Sequence, residues 1–165
     1  MERLAKNDAL VECVNIGAED LPKLVAFAQE KKADLTVVGP EQPLTEGIVD
    51  LFEERGLQIF GPSRAAAELE GSKVFAKHFM KRQQIPTAGF KTFTAAQRFD
   101  AEQYINELPV PIVVKASGLA GGKGVTVCES KEDALAILRL MMHEKTFGEA
   151  GLNVVIEEFL AGEEA

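Results

Sequence analysis

The chain has 165 residues, of which 46% are hydrophobic and 27% charged, and its 18 basic and 26 acidic side chains give a formal net charge of −8. This composition is typical of a soluble globular protein and excludes collagen-like, disordered, coiled-coil and membrane-spanning chains. The negative charge argues against nucleic acid or anionic lipid as a partner, so any bound phosphate must be held by local cations and backbone amides. With two cysteines, no metal-ligand spacing and no signal-peptide pattern, we expect a cytoplasmic protein.

Strands and helices alternate in the first third of the chain. The predicted elements are strands at about 10–16, 34–38 and 57–60, and helices at 19–32 and from Leu44 to Arg55. Asp20 can cap the first helix, and Gly56 supplies a stop for the second. This order predicts a parallel sheet with right-handed crossovers, which is half of a Rossmann-like domain over residues 1–62.

A helical connection over residues 63–86 separates this domain from an α+β domain over residues 87–165. The connection contains two short helical stretches and ends at Pro86, because a helix rarely continues through the residue before proline. Its second stretch carries an apolar stripe of Val74, Phe75, His78 and Phe79. The α+β domain has predicted strands at 89–93, 111–115, 125–128 and 153–157, and helices at about 98–107 and 131–143. Antiparallel pairing is expected between the two strands that flank its glycine-rich loop.

This glycine-rich loop is the densest chemical signal in the chain. Four glycines fall among the eight residues 117–124, with lysines on either side: Lys115, Gly118, Gly121, Gly122, Lys123 and Gly124. Glycine lets backbone amides approach an anion closely, which favours phosphate binding over an ordinary hairpin tip. The Walker A motif does not fit, since Ser117 stands where it requires glycine and Gly124 where it requires Ser or Thr. The dinucleotide fingerprint fails because a strand follows where that motif needs a helix.

Two lysines near this loop could reach a phosphate. Lys115 ends the incoming strand, and alternation places Val113 and Lys115 on one face and Ile112 and Val114 on the other. Lys115 can therefore reach under the loop towards α- and β-phosphates, although a solvated strand-end lysine is the alternative. Lys73 lies near a helix start, and its residue pattern leaves both a solvated role and a phosphate contact open.

Two further segments each allow a purely structural and a functional interpretation. The chain ends with four carboxylates in residues 157–165, which form either a charged tail or a segment offering backbone groups to a purine and a carboxylate to ribose. The loop from Gly39 to Leu44 follows a parallel strand, at the sheet edge where α/β proteins bind ligands. The alternative there is a rigid turn in which Glu41 caps a helix.

Six blocks of sequence together resemble one enzyme family. They are Gly39-Pro-Glu-x-Pro-Leu44, Phe60-Gly-Pro-Ser63, Leu69-Glu-Gly-Ser-Lys73, Ile85-Pro-Thr-Ala88, Val114-Lys-Ala-Ser-Gly-Leu-Ala-Gly-Gly-Lys-Gly124 and Ile156-Glu-Glu-Phe-Leu-x-Gly-Glu-Glu164. In this order and over essentially the whole chain, they resemble the glycinamide ribonucleotide synthetase (phosphoribosylamine-glycine ligase) family of the ATP-grasp superfamily. The resemblance implies a partial pre-ATP-grasp domain, then the helical connection, then the first, α+β half of an ATP-grasp fold.

The resemblance also implies an activity. This family joins glycine to 5-phosphoribosylamine in purine biosynthesis, with ATP and Mg²⁺, through a glycyl phosphate that the amine attacks. Because phosphoryl transfer needs positioning and charge neutralisation, lysines and loop amides suit it.

By resemblance, the site residues divide among the ligands. Lys73 and Lys115 would contact the ATP phosphates, with Lys115 and Lys123 in catalytic roles, and Gly118, Gly121, Gly122 and Gly124 would form the flap. Glu157, Glu158, Phe159 and Leu160 would line the adenine, and Glu164 would hold the ribose. Gly39, Pro40, Glu41 and Pro43 would contribute to the phosphoribosylamine site, whereas the Mg²⁺ ligands would lie outside this chain.

The chain also departs from the family pattern. Gly121 replaces the alanine expected in the flap, and the opening strand with its Gly-x-Gly-Gly-Arg-Glu-His-Ala turn is missing. The chain stops before the second ATP-grasp half, which carries the Mg²⁺ ligands and the glycine site. We therefore expect an interior fragment that is inactive alone. The alternatives are a non-catalytic adenine-nucleotide-binding module and an ATP-grasp ligase for another substrate.

Overall fold

The computed structural model describes residues 11–119, 124–143 and 153–163. The chain divides into two compact units, Met1–Ala65 and Ala66–Ala165. The domain limits predicted at residues 62 and 86 stay a prediction. Within the described ranges, no helix is both long enough and apolar enough to cross a membrane.

The first unit combines short helices with a parallel pair of strands. Its elements are α1 (Leu21–Lys31), β1 (Thr36–Val37), α2 (Glu41–Glu46), α3 (Ile48–Glu54) and β2 (Ile59–Phe60). The two strands pair in parallel, with Thr36 opposite Ile59, which confirms the predicted parallel arrangement. Asp20 caps α1 as predicted, because its carboxylate accepts the Lys23 N–H at 3.3 Å. The core of the unit consists of Val25, Ala28, Ile48, Val49 and Phe52.

Two predictions for the first unit are wrong. Residues 11–17 form no strand, and the Ile16 N–H donates to the nearby Val14 carbonyl at 3.0 Å. A strand needs a neighbouring strand to bond with, which local periodicity cannot reveal. The helix predicted from Leu44 to Arg55 is divided into α2 and α3 by Gly47, whose φ of +93° ends α2 in the left-handed conformation that glycine adopts easily.

The second unit is an antiparallel sheet with helices. Helix α4 (Arg64–Gly71) begins in the last two residues of the first unit and continues into the second. The further elements of the second unit are α5 (Lys73–Arg82), β3 (Phe90–Thr94), a 3₁₀ turn (Ala95–Gln97), α6 (Arg98–Glu107), β4 (Ile112–Ala116), β5 (Val125–Cys128), α7 (Lys131–His143) and β6 (Asn153–Glu158). The strand order is β3-β6-β4-β5, and each neighbouring pair is antiparallel. This confirms the antiparallel pairing expected around the glycine-rich loop. The mixed α/β fold class, with a parallel and then an antiparallel sheet, is confirmed as well.

One face of the antiparallel sheet packs against α6 and α7. The core between them includes Ile105, Ile112, Val114, Leu138 and Ile156, all fully buried. Ser130 starts α7 as predicted, since its hydroxyl accepts the Asp133 N–H at 3.1 Å. The opposite face of the sheet is therefore the one left for polar side chains and for α5.

Candidate functional site

Lys115 and Glu157 lie on the sheet face that points away from α6 and α7. The register places Val113 opposite Glu157 and Lys115 opposite Val155. Because residues opposite each other in an antiparallel pair share a face, these four side chains point to the same side. Lys115 therefore leaves its strand on the side predicted from the sequence, away from the buried Val114.

A buried cluster of two lysines and one glutamate lies on this face. One carboxylate oxygen of Glu157, Oε1, pairs with Lys115 Nζ, and the other, Oε2, pairs with Lys77 Nζ. Glu157 is 4% exposed, so these cations are what allow its carboxylate to remain charged inside the protein. Lys77 Nζ also donates to Thr87 Oγ1 at 2.7 Å. We call Lys77, Glu157 and Lys115 the lysine–glutamate cluster, and its net charge is +1.

Lys73 adds a further cation beside this cluster. Its ammonium donates to the Gly118 carbonyl at 3.1 Å, at the start of the glycine-rich loop. Burial lowers the pKa of Lys73, the charge of Lys115 lowers it further, and Glu70 acts in the opposite direction. A lysine that lies partly out of water beside a second cation forms an electrostatic environment that attracts an anion.

Ser117 joins the root of the loop to the start of α5. Its carbonyl accepts the Lys73 N–H at 2.9 Å, and its hydroxyl accepts the Val74 N–H at 3.1 Å. Ser72, the N-cap residue, accepts the Phe75 N–H at 3.2 Å. The first N–H groups of α5 are thus bonded within the protein. The same bonds set the positions of Lys73 and of the loop.

The glycine-rich loop is described at its two ends. The Gly124 carbonyl accepts the Ala116 N–H at 2.8 Å and closes the β4–β5 hairpin. Gly118 lies at the other end and accepts from Lys73, as above. Gly121, Gly122 and Lys123 lie outside the described residues. The assignment of this loop as a phosphate flap therefore stays a prediction.

The acidic segment at the end of β6 has two parts, one that bonds to the start of β3 and one that borders a groove. Glu158 accepts the Gly89 N–H at 2.7 Å and donates its own N–H to the Gly89 carbonyl at 3.1 Å, so its side chain holds the start of β3. Beyond it lies a groove of about 510 Å³ lined by Val127, Phe159, Leu160, Ala161, Gly162 and Glu163. Phe159 and Leu160 are exposed there. Glu164, predicted to hold ribose, lies outside the described residues.

The predicted phosphoribosylamine residues lie in the first unit, directly after β1. Gly39 and Pro40 lead into α2, whose first residue is Glu41, so the segment after Pro40 is helical and not a loop. Gly39, Pro40 and Pro43 border a cavity of about 470 Å³ whose other lining residues are mainly apolar. Their role in binding substrate stays a prediction.

Lys77 and Ser117 take part in the site although the sequence did not single them out. The predicted apolar stripe on α5 is wrong in part, because His78 is exposed and Lys77 is buried instead. Lys77 follows Lys73 by about one helical turn, and this spacing is the sequence signal that could have placed the two lysines on the same face of α5. A lysine is rarely buried without a partner, and its partner Glu157 lies on a distant strand.

The donor set fits nucleotide phosphates better than a metal ion of its own. Lys73 and Lys115 offer cations to phosphate oxygens, and both oxygens of Glu157 are already paired with lysines. In the part of the chain that the structure describes, no group of three or more His, Cys, Asp or Glu side chains could hold a metal ion.

Two family models match consecutive parts of this sequence. Residues 2–70 match the N domain of phosphoribosylglycinamide synthetase, and residues 71–165 match its ATP-grasp (A) domain. Together they cover almost the whole chain.

Two curated relatives illustrate the likeness over most of this chain. The phosphoribosylamine–glycine ligase of Haemophilus influenzae is 56% identical over 155 residues, which are 94% of this chain and 36% of that protein. The Escherichia coli O6:H1 enzyme of the same name is 53% identical over 152 residues, or 92% of this chain and 35% of that protein. The chain thus spans about a third of the length of the curated relatives it matches.

Solved structures agree on the fold. The phosphoribosylamine–glycine ligase of Thermotoga maritima superimposes with a TM-score of 0.67 at 34% identity, covering 82% of this chain and 33% of that one. The biotin carboxylase domain of Hydrogenobacter thermophilus 2-oxoglutarate carboxylase, in complex with MgADP, gives a TM-score of 0.70 at 24% identity, covering 90% of this chain and 34% of that one. The second likeness supports the fold alone.

Proposed function

Because this chain belongs to the phosphoribosylglycinamide synthetase family, we propose that it supplies the ATP-binding contacts of a ligase that joins glycine to 5-phosphoribosylamine. The observation that carries the proposal is the pair of lysines at the root of the glycine-rich loop. Lys73 and Lys115 come from a helix and a strand that Ser117 joins, and the pKa of Lys73 is lowered by burial and by Lys115. A cation site of this kind is stabilised by a phosphate anion.

In this proposal, each part of the site meets a different part of ATP. Lys73 and Lys115 neutralise the phosphate chain, and Lys123 and the amides of residues 118–124 close over it. Phe159 and Leu160 border the adenine through the groove beside β5, and Glu164 accepts from the ribose hydroxyls. A Mg²⁺ ion that arrives with the nucleotide would neutralise phosphate charge further, with ligands that we do not assign to this chain.

The reaction itself follows from positioning and charge. The γ-phosphoryl group passes to the glycine carboxylate and gives glycyl phosphate, and ADP leaves. The amine of phosphoribosylamine then attacks the acyl carbon, an amide forms, and phosphate is released. The lysines hold the transferring group in line and stabilise the charge spread over its oxygens. In this proposal, phosphoribosylamine is bound with the help of Gly39, Pro40, Glu41 and Pro43.

We also propose a cytoplasmic location, where purine biosynthesis would need the enzyme.

Calorimetry with adenine nucleotides tests the proposal on the chain as it stands. We expect ATP to bind, and Lys115→Ala to weaken binding by about tenfold or more, since one charge-assisted contact to phosphate is lost. Lys91→Ala is the control, because Lys91 is also a strand lysine but lies on the opposite face of the sheet, where it is exposed and lies over the Tyr104 ring. Unchanged ATP binding in Lys115→Ala, or an equal loss in Lys91→Ala, would contradict the proposal.

A further inference from the structure

We propose that Lys77 is a positioning residue that keeps Lys115 available to a nucleotide phosphate by sharing the charge of Glu157. This inference rests on the proposed function, since it gives Lys115 a phosphate to bind. Lys77 does not touch the nucleotide in this proposal, and it acts through the lysine–glutamate cluster.

The geometry of the cluster supports this role. Glu157 comes from β6, Lys115 from β4 and Lys77 from α5, so three elements converge on one carboxylate. Each oxygen of Glu157 takes one lysine. If Lys115 were the partner of both oxygens, moving it to a phosphate would leave a buried carboxylate without a cation, which is strongly unfavourable. With Lys77 in place, Glu157 remains paired when Lys115 leaves.

The two lysines differ in how firmly they are held. The Lys77 side chain is 11% exposed and that of Lys115 is 23% exposed. Lys77 is held at further points, because it donates to Thr87 Oγ1 and its ammonium lies 5.6 Å from the centre of the Phe90 ring. Lys115 lies nearer the solvent and beside Lys73. Lys115 is therefore the member of the cluster that can move, and Lys77 is the member that stays.

The charge of the site leads to the same conclusion. With Lys77, the cluster carries +1, and Lys73 adds another positive charge towards the loop. Without Lys77, the cluster would be neutral, and the pairing of Glu157 with Lys115 would compete directly with the phosphate. The loss of Lys77 should therefore act on phosphate binding and leave contacts to the nucleoside unchanged.

Three variants separate this role from a purely structural one. We expect Lys77→Met to weaken ATP binding by about tenfold, while adenosine binding changes by less than about twofold. Acylation of Lys115 by an amine-reactive ester, followed by mass spectrometry without nucleotide, should slow severalfold, since Glu157 then holds this amine alone. The charge-matched double variant Lys77→Met/Glu157→Gln should recover the acylation rate, because Lys115 then no longer faces an anionic partner. Lys115→Met should lose ATP binding in either background.

The outcomes distinguish the two proposals. Equal losses of ATP and adenosine binding in Lys77→Met, or no recovery of the acylation rate in the double variant, would overturn the role of Lys77. Failure of the unsubstituted chain to bind ATP would overturn the proposed function, and the acylation rates would still decide whether Lys77 governs Lys115. Should Lys77→Met fail to fold, as judged by circular dichroism, a folded double variant that acylates Lys115 at the original rate supports the charge argument. A folded double variant with slow acylation overturns it.

Discussion

Lys73 has a lowered pKa because the fold takes it partly out of water and places Lys115 nearby. The folded state therefore disfavours the charged lysine, and this costs stability at any pH where the lysine is charged in both states. As pH rises through the lowered pKa, the folded protein releases the proton before the unfolded chain does. The contribution of this group to the free energy of unfolding therefore increases as the pH rises from the lowered pKa to the ordinary lysine pKa of 10.5. A bound phosphate has the opposite preference, since it favours the charged form.

We expect ATP affinity to fall as pH rises, beginning below the range in which an ordinary lysine titrates. The reason is that Lys73 loses its proton, and with it a phosphate contact, at a lower pH than a solvated lysine. Lys73→Arg should flatten the decline, because arginine stays charged throughout. Calorimetric titrations from about pH 7 to about pH 10 measure the effect. Identical pH profiles for the two proteins would contradict the prediction.

At the scale of elements, one serine fixes the position of the start of α5 relative to the loop after β4. Ser117 accepts two successive N–H groups of α5, through its carbonyl and its hydroxyl. Ser117 is buried, so an N–H left without its hydroxyl partner could not turn to water. Helix, loop and strand are therefore positioned together, and this arrangement places Lys73 beside Lys115.

We expect Ser117→Ala to lower the free energy of unfolding by about 1–2 kcal/mol and to weaken ATP binding as well. Ser130→Ala is the control, since its hydroxyl also accepts a backbone N–H at a helix start, away from the site. It should lower stability by a similar amount and leave ATP binding unchanged. Urea denaturation and calorimetry measure the two quantities. An effect of Ser130→Ala on ATP binding, or none of Ser117→Ala, would count against this explanation.

At the scale of the whole molecule, the described residues form two hydrophobic cores, one in each unit. Phe52 is 1% exposed in the first core and Leu138 is fully buried in the second. The net charge of −8 is spread over this whole molecule, while the phosphate-binding proposal depends on a few local cations. The core of the second unit supports the strands that carry Lys115 and Glu157.

We expect Phe52→Ala and Leu138→Ala each to destabilise the unit that contains the substituted residue, by about 3–5 and about 2–5 kcal/mol respectively. The cause is the loss of buried contacts and the cavity that remains. Hydrogen exchange read by mass spectrometry should show faster exchange in Met1–Ala65 for the first variant and in Ala66–Ala165 for the second. Val11→Ala, at an exposed position, is the control and should change neither pattern.

The sequence by itself determined the family, the element order of the second unit and the main phosphate-binding candidates. The bounds of α6, β5 and α7 were predicted closely, because periodicity and capping are local properties of the chain. The family resemblance is confirmed, because its motifs combine residue types and spacings that few other chains share. The face on which Lys115 lies followed from the two-residue period of a strand.

Only the tertiary structure decided which charged side chains form ion pairs. The sequence did not single out Lys77, and it left Glu157 either in a charged tail or in a segment that binds a nucleotide. Their pairing depends on how α5 packs against β6 and on the register between β6 and β4, which no local pattern encodes. The strand predicted at about 10–16 is missing for a related reason, because a strand forms only beside a partner strand, which a local pattern does not reveal. The break at Gly47 is instead local, since glycine adopts easily the positive φ that ends α2.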